Sequence, residues 1–376
     1  MKILFRIARI IFGLTFIFSG FVKGIDPWGS AYKFTDYFNV IGLEWLIWAA
    51  FPLGILLAFT EFIIGIAFLF NWRLQFFSWL GLLFMGFFLP LTLWIAIMNP
   101  VTDCGCFGDA FIVTNWETFF KNVVLMIFAL VVFKYRKQEQ SRVHKKYSPL
   151  FSGIATFIYF IAVFYSFNHL PIFDFRPFKV GVNIPDAMST PEGAKKEIYE
   201  NTFYYKNKST GKVEKFPETN YPWKDTVNWE YDKMESALIQ KGYEPPIHDF
   251  VIETPDGENI VDFFIYDENY VFMLVAYDLN KSKTKNQNDI NVLANWATEN
   301  GISFVCLTST LLDDALAFAD ETGAPYEFFN CDEIELKTMI RSNPGLLVIK
   351  DGNILGKWHY NDIPTPEEFQ EEFMNE

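Results

Sequence analysis

The chain has 376 residues, more than a typical single domain, with 51% hydrophobic residues, 19% aromatic residues and a formal net charge of −14. That charge is unevenly divided: residues 1–179 carry 15 Lys and Arg against 9 Asp and Glu, and residues 180–376 carry 16 against 36, about +6 and −20. The acidic second half lacks the clustered cations that phosphate backbones require, which excludes nucleic acid as a partner, and the split reads as an apolar membrane part followed by a water-soluble part.

Five segments are long and apolar enough to span a bilayer, at about 3–22, 45–70, 76–98, 111–133 and 149–168. The first resembles a signal peptide, with Lys2, Arg6 and Arg9 ahead of an apolar run. Ser19-Gly20-Phe21-Val22 offers no small-residue cleavage site, so this segment is expected to be a retained anchor. Basic residues set the orientation. One set of ends carries Lys2, Arg6, Arg9, Arg73 and the run Lys134, Arg136, Lys137, Arg142, Lys145 and Lys146, whereas the opposite loops carry Lys23 and Lys33. The N-terminus is therefore expected inside, and the chain after Asn168 outside, in the same compartment as Cys104 and Cys106.

Pro52 and Pro90 fall inside apparent helices, where proline frees a carbonyl that neighbours must satisfy; bundle packing and a functional kink both account for them. Glu61 is buried well inside the second span, at a cost of about 2.5–3.5 kcal/mol near mid-bilayer. Lys23, Arg9 and Lys121 are its candidate partners, and a protonated Glu61 bonded to a hydroxyl is the alternative. An ion pair of this kind serves either function or structure.

Between the third and fourth spans lies Asp103-Cys104-Gly105-Cys106-Phe107-Gly108-Asp109, with two of the four cysteines in the chain. Together with Ser19-Gly20-Phe21-Val22-Lys23-Gly24-Ile25-Asp26-Pro27 and Glu61, this loop resembles the DoxX and MauE group of small bacterial membrane proteins over about residues 1–135. That resemblance implies a four-helix membrane domain in the bacterial inner membrane, with the loop on the periplasmic face. It further implies envelope redox: MauE-like proteins are associated with methylamine utilisation and disulfide formation beside a thioredoxin-like partner, and DoxX-like proteins with a quinone-linked oxidoreductase. Quinone is thus the cofactor the resemblance allows, and no other is evident.

Two cysteines separated by one glycine close only a small ring, which Gly105 eases and which is expected to be strained and oxidising. Asp103 and Asp109 are expected to raise the thiols and slow thiolate attack. Three readings stay open for Cys104 and Cys106: a redox pair, a structural disulfide, or half of a metal site. No histidine lies nearby in sequence to complete four zinc ligands, so no metal is assigned.

The basic stretch and fifth span occupy 136–179, and 180–244 is an aromatic, charged segment without a motif, helical in appearance near Tyr231 to Lys241. From Ile247 to Ile265 the pattern suggests a β-hairpin around Pro255-Asp256-Gly257. Strands are then expected at 270–277, 302–307, 346–350 and 354–359, and helices at 289–300, 311–322, near 333 and at 365–374. This order resembles a thioredoxin-like α/β domain over 245–376, with Asn343-Pro344-Gly345 where that family places its cis-proline. The departure is that Tyr277-Asp278-Leu279-Asn280-Lys281 stands where thioredoxins carry Cys-x-x-Cys. Cys306 and Cys331 are expected to be structural, and the four histidines are scattered, His144 in the basic loop and the others on the surface.

The expected architecture is an α-helical membrane bundle followed by a thioredoxin-like domain. The expected role is thiol-disulfide exchange by Cys104 and Cys106, supported by Glu61, Lys23, Asp103 and Asp109. Partners would be the lipid bilayer and a periplasmic client or thioredoxin-like protein, recognised by the soluble domain. The rival is a non-catalytic envelope scaffold tied by a structural Cys-x-Cys disulfide.

Overall fold

A computed structural model describes residues 2–101, 103–137 and 142–375, with the backbone alone at 2 and 142–145. Helix α1 (Lys2–Ile25) is followed by α2 (Pro27–Val40), α3 (Ala50–Phe70), α4 (Leu74–Met98), α5 (Asn115–Tyr135) and α6 (Arg142–Asn168). Ile3–Ile25, Glu44–Phe70, Leu74–Met98, Asn115–Tyr135 and Lys146–Asn168 are long and apolar enough to cross a bilayer, so this is a multi-pass membrane protein. Their outward faces are apolar as lipid requires, with Ile7, Leu83, Phe87 and Phe157 all exposed. Pro52 falls in the first turn of α3, where its missing N–H costs nothing, and Pro90 lies inside α4. His144 lies in the first turn of α6 rather than in a loop, with its side chain outside the described residues.

Small residues bring α1 and α3 together. A Cβ placed on Gly20 would sit 2.5 Å from the Phe62 amide nitrogen, and one on Gly65 would sit 2.6 Å from that of Ile17. Backbones this close leave no room for any other residue, which is how membrane helices gain dispersion contacts without a hydrophobic effect. The amphipathic α2 was not expected, being too short and polar for a span. Its signal was nevertheless in the sequence: Pro27 occupies the first turn, and the Asp26 carboxylate accepts from the Gly29 amide at 2.9 Å.

Residues 183–249 form a separate compact unit. It holds α7 (Ile184–Met188) and the strands β1 (Ile198–Asn207), β2 (Val213–Pro217) and β3 (Trp229–Gln240), arranged β2-β1-β3 and antiparallel. The helix expected near Tyr231 is thus a strand. Its pairing with β1 through Phe203↔Met234 and Tyr205↔Tyr231, with Phe203 stacked on Tyr221 at 4.2 Å, overrides the local pattern.

Beyond it come α8 (Val261–Ile265), β4 (Tyr270–Val275), α9 (Gln287–Glu299), β5 (Ser303–Thr308), α10 (Leu312–Thr322), β6 (Glu327–Asn330), α11 (Glu333–Met339), β7 (Gly345–Lys350), β8 (Asn353–His359) and α12 (Pro366–Phe373). The strand order is β6-β5-β4-β7-β8, with β4, β5 and β6 parallel and β7 and β8 antiparallel to their neighbours. That order with flanking helices is the thioredoxin-like arrangement, and the fold class is a helical membrane bundle followed by this α/β domain. The hairpin expected at 247–265 reduces to an isolated Glu253↔Asn259 bridge, because Phe264 and Ile265 bury themselves by forming α8. The core joins Phe272, Leu274, Cys306, Leu346, Val348 and Phe369, all buried.

Candidate thiol redox site

The loop from Asp103 to Asp109 joins α4 to α5. Gly105 adopts a left-handed φ of 65°, and the Asp103 carboxylate accepts from its amide at 2.7 Å. This turn aims both thiols the same way, and the sulfurs of Cys104 and Cys106 lie 3.3 Å apart. Two helices hold the loop: the Tyr37 hydroxyl on α2 donates to the Cys104 carbonyl at 3.1 Å, and Ser19 Oγ on α1 donates to that of Cys106 at 2.6 Å. Ser19 Oγ is also 2.9 Å from Glu61, so its single proton serves either acceptor.

Of the three partners expected for Glu61, the fold selects Lys23, whose Nζ donates to both carboxylate oxygens at 2.7 Å. Both residues are buried, which the close approach of α1 and α3 makes unavoidable. Lys121 instead places its Nζ 4.3 Å from the centre of the Phe107 ring. The loop carboxylates are matched outward: Lys33 binds Asp103 at 2.7 Å, and Arg341 binds Asp109 at 2.7 Å and Asp26 at 2.9 Å.

The two thiols are displaced in opposite directions. The Cys104 hydrogen bond, with Lys121 and Lys23 against the cost of burial, holds the Cys106 thiol below the ordinary range. Its partner Cys104 is pushed up by the same hydrogen bond and by burial. Of the two thiols, Cys106 is therefore the more readily deprotonated.

Arg341 belongs to the thioredoxin-like domain, where it precedes the cis Asn343–Pro344 bond. Asn343 Nδ2 donates at 2.8 Å to the carbonyl of Asp278, in the segment that carries the cysteines of thioredoxins. Tyr277 of that segment meets Tyr32 on α2 edge to face at 6.4 Å, and Lys337 caps the Tyr32 ring at 4.9 Å. The face that would bear a Cys-x-x-Cys thus lies against the membrane domain beside the cysteine loop. Sequence reasoning missed Arg341, Lys33, Tyr37 and Tyr32, whose roles depend on contacts far apart in the chain.

Elsewhere, Cys306 is fully buried in β5 with its thiol pushed up by desolvation, and burial pushes Cys331 up to about 12. His359, expected on the surface, is buried, and burial lowers its imidazole to about 4. His169 pairs with Asp362 at 2.7 Å. Among the described residues no cluster of His, Cys, Asp and Glu is arranged to hold a metal.

Residues 1–135 match the family model of the methylamine utilisation protein MauE, and residues 199–241 match a family described only as a domain of unknown function. No curated protein matches the chain. Among solved structures, a putative protein disulfide isomerase from Bacteroides thetaiotaomicron aligns at 16% identity over 33% of this chain and 80% of that one. Its TM-score is 0.27, and the thioredoxin-like assignment comes from the strand order. The similarity to that family thus covers residues 1–135, the part that carries the whole cysteine loop.

Proposed function

We propose that the protein exchanges disulfides at the extracytoplasmic face of the membrane, with Cys104 and Cys106 cycling between dithiol and disulfide. The observation that carries this reading is the 3.3 Å sulfur pair, partly accessible and flanked by Lys23 and Lys121. In the exchange, a client thiolate attacks the Cys104–Cys106 bond at Cys104 and expels Cys106, the better leaving thiolate. The second client thiol then resolves the mixed disulfide. One S–S bond breaks and another forms, and two electrons and two protons pass from the client to the loop. A stabilised thiolate favours the reduced loop, which makes its disulfide an oxidant.

Lys23 and Glu61 form the floor beneath the loop, and Asp103 and Asp109 fix its conformation through the Gly105 amide, Lys33 and Arg341. The distribution of basic residues supports an inner-membrane protein with the N-terminus in the cytoplasm and the loop in the periplasm. The thioredoxin-like domain recognises the client with surfaces other than the face lying against α2. The name of the matching family supports a client that takes part in methylamine utilisation.

A second reading, a non-catalytic scaffold, is favoured by the absence of cysteine from Tyr277 to Lys281. One measurement decides between them: the reduction potential of Cys104 and Cys106 in the solubilised protein, by thiol trapping across glutathione buffers. A midpoint between about −120 and −230 mV supports the exchanger, whereas a bridge that survives below about −300 mV is a staple and supports the scaffold.

A further inference from the structure

The sheet edges of this chain are treated unequally. In the thioredoxin-like sheet, Glu253 covers β6 by exchanging backbone hydrogen bonds with Asn330 at 2.9 and 3.0 Å, and Gly181 and Val182 cover β8 through Ile354 at 2.8 and 2.9 Å. Strand β2 has five residues and ends on Pro217, which offers no N–H. Strand β3 runs twelve residues, and among the described residues no strand pairs with its side away from β1. An open edge of that length presents a row of backbone donors and acceptors to another strand.

The side chains along β3 select which strand fits. Its register with β1 skips Asp232 as a bulge, so Trp229, Tyr231, Met234, Ser236 and Leu238 share the face that holds Phe203 and Tyr205. Tyr231, Met234 and Leu238 are each about half exposed there. On the opposite face Lys233 and Glu235 are exposed and 2.6 Å apart. Charges on an edge turn away most strands, so the partner must carry matching charges at matching positions.

We propose that β3 pairs antiparallel with β3 of a second copy of this chain, about a twofold axis through Met234. In that register Lys233 faces the second copy's Glu235 and Glu235 faces its Lys233, so two ion pairs form across the seam. Met234 meets its own counterpart. Beyond the bulge Tyr231 faces Ser236 and Trp229 faces Leu238, all on the aromatic face, while Glu230 faces Ala237. No like charges stand opposite one another. Moving the axis by one residue sets Lys233 against Lys233 or Glu235 against Glu235, and a one-residue slip of the strands sets the aromatic face against the charged one. The two three-stranded sheets become one continuous sheet, and the contact, being isologous, closes at two copies.

The test uses the full chain in detergent, with association read by sedimentation equilibrium. A monomer–dimer equilibrium is expected. Lys233→Glu replaces both ion pairs with like-charge contacts and is expected to weaken the dimer about tenfold or more, and the exchange Lys233→Glu/Glu235→Lys to restore it. Register is read by oxidative cross-linking of single cysteines in the Cys104→Ser/Cys106→Ser background. Met234→Cys is expected to form a covalent dimer, because residues directly opposite in an antiparallel pair have Cα atoms about 4.5–5.5 Å apart, within disulfide reach. Leu238→Cys is expected to stay uncoupled, since its counterpart lies about 26 Å away along the strands. A chain that remains monomeric overturns the proposal, as does a dimer indifferent to Lys233→Glu or not rescued by the charge exchange. Cross-linking through Leu238→Cys in preference to Met234→Cys overturns it as well. So does a monomer whose Met234→Cys is caught on an extended segment of another protein, which would give the edge to a different partner.

Discussion

The two cysteine pairs of this chain differ in almost every physical respect. Cys104 and Cys106 lie in a partly accessible loop, sulfur to sulfur, with cations close enough to favour one thiolate. Cys306 and Cys331 belong to a thioredoxin-like fold, the setting in which redox cysteines are expected, yet both are buried and their thiols are pushed up. Burial and local charge set the two pairs apart, and the domain with the thioredoxin-like fold is the one whose thiols are both buried and raised. The face where its cysteines would stand contributes Arg341 and Tyr277 to hold α2 and the loop instead.

The largest expected difference separates the pairs directly. Cys104→Ser or Cys106→Ser is expected to abolish disulfide exchange with a reduced client, measured by thiol trapping, while Cys306→Ala and Cys331→Ala preserve it. Activity surviving in the first two variants would end the comparison. Next comes the floor of the site. Lys23→Met leaves Glu61 buried without its partner and is expected to cost about 3–5 kcal/mol in unfolding experiments. Replacing both residues, as Lys23→Met/Glu61→Leu, is expected to recover most of that stability, because no charge is then stranded.

A smaller effect is expected at the contact between the halves. Arg341→Met frees Asp26 and Asp109, and alkylation of the loop cysteines is expected to quicken about tenfold, the equivalent of one charged hydrogen bond. An unchanged rate would mean that the thioredoxin-like domain does not restrain the loop. The smallest effect concerns pH. A thiolate forms above its pKa, so a lowered Cys106 keeps reacting with iodoacetamide at neutral pH and slows as the solution is made more acid. Lys121→Gln removes a cation and moves that profile to higher pH, slowing the reaction at pH 7 by about threefold. A profile that stays in place would take Lys121 out of the account.

The sequence alone determined the membrane spans, the helices and four of the five strands from Tyr270 onward, and the identity of the cysteine loop; the short edge strand Glu327–Asn330 was missed. Spanning a bilayer is a property of one contiguous apolar window, and buried strands of a parallel sheet read as continuous apolar runs, so neither needs knowledge of distant residues. The tertiary structure decided the rest. It chose Lys23 over Arg9 and Lys121 for Glu61, because glycines at 20 and 65 set α1 against α3. It made a strand of Trp229–Gln240, because β1 offered a full-length partner. It paired Asp103 with Lys33 and Asp109 with Arg341, which reach them from positions 70 and 232 residues away in the chain. Pair interactions across such separations depend on how helices pack, and no local window of sequence contains that information.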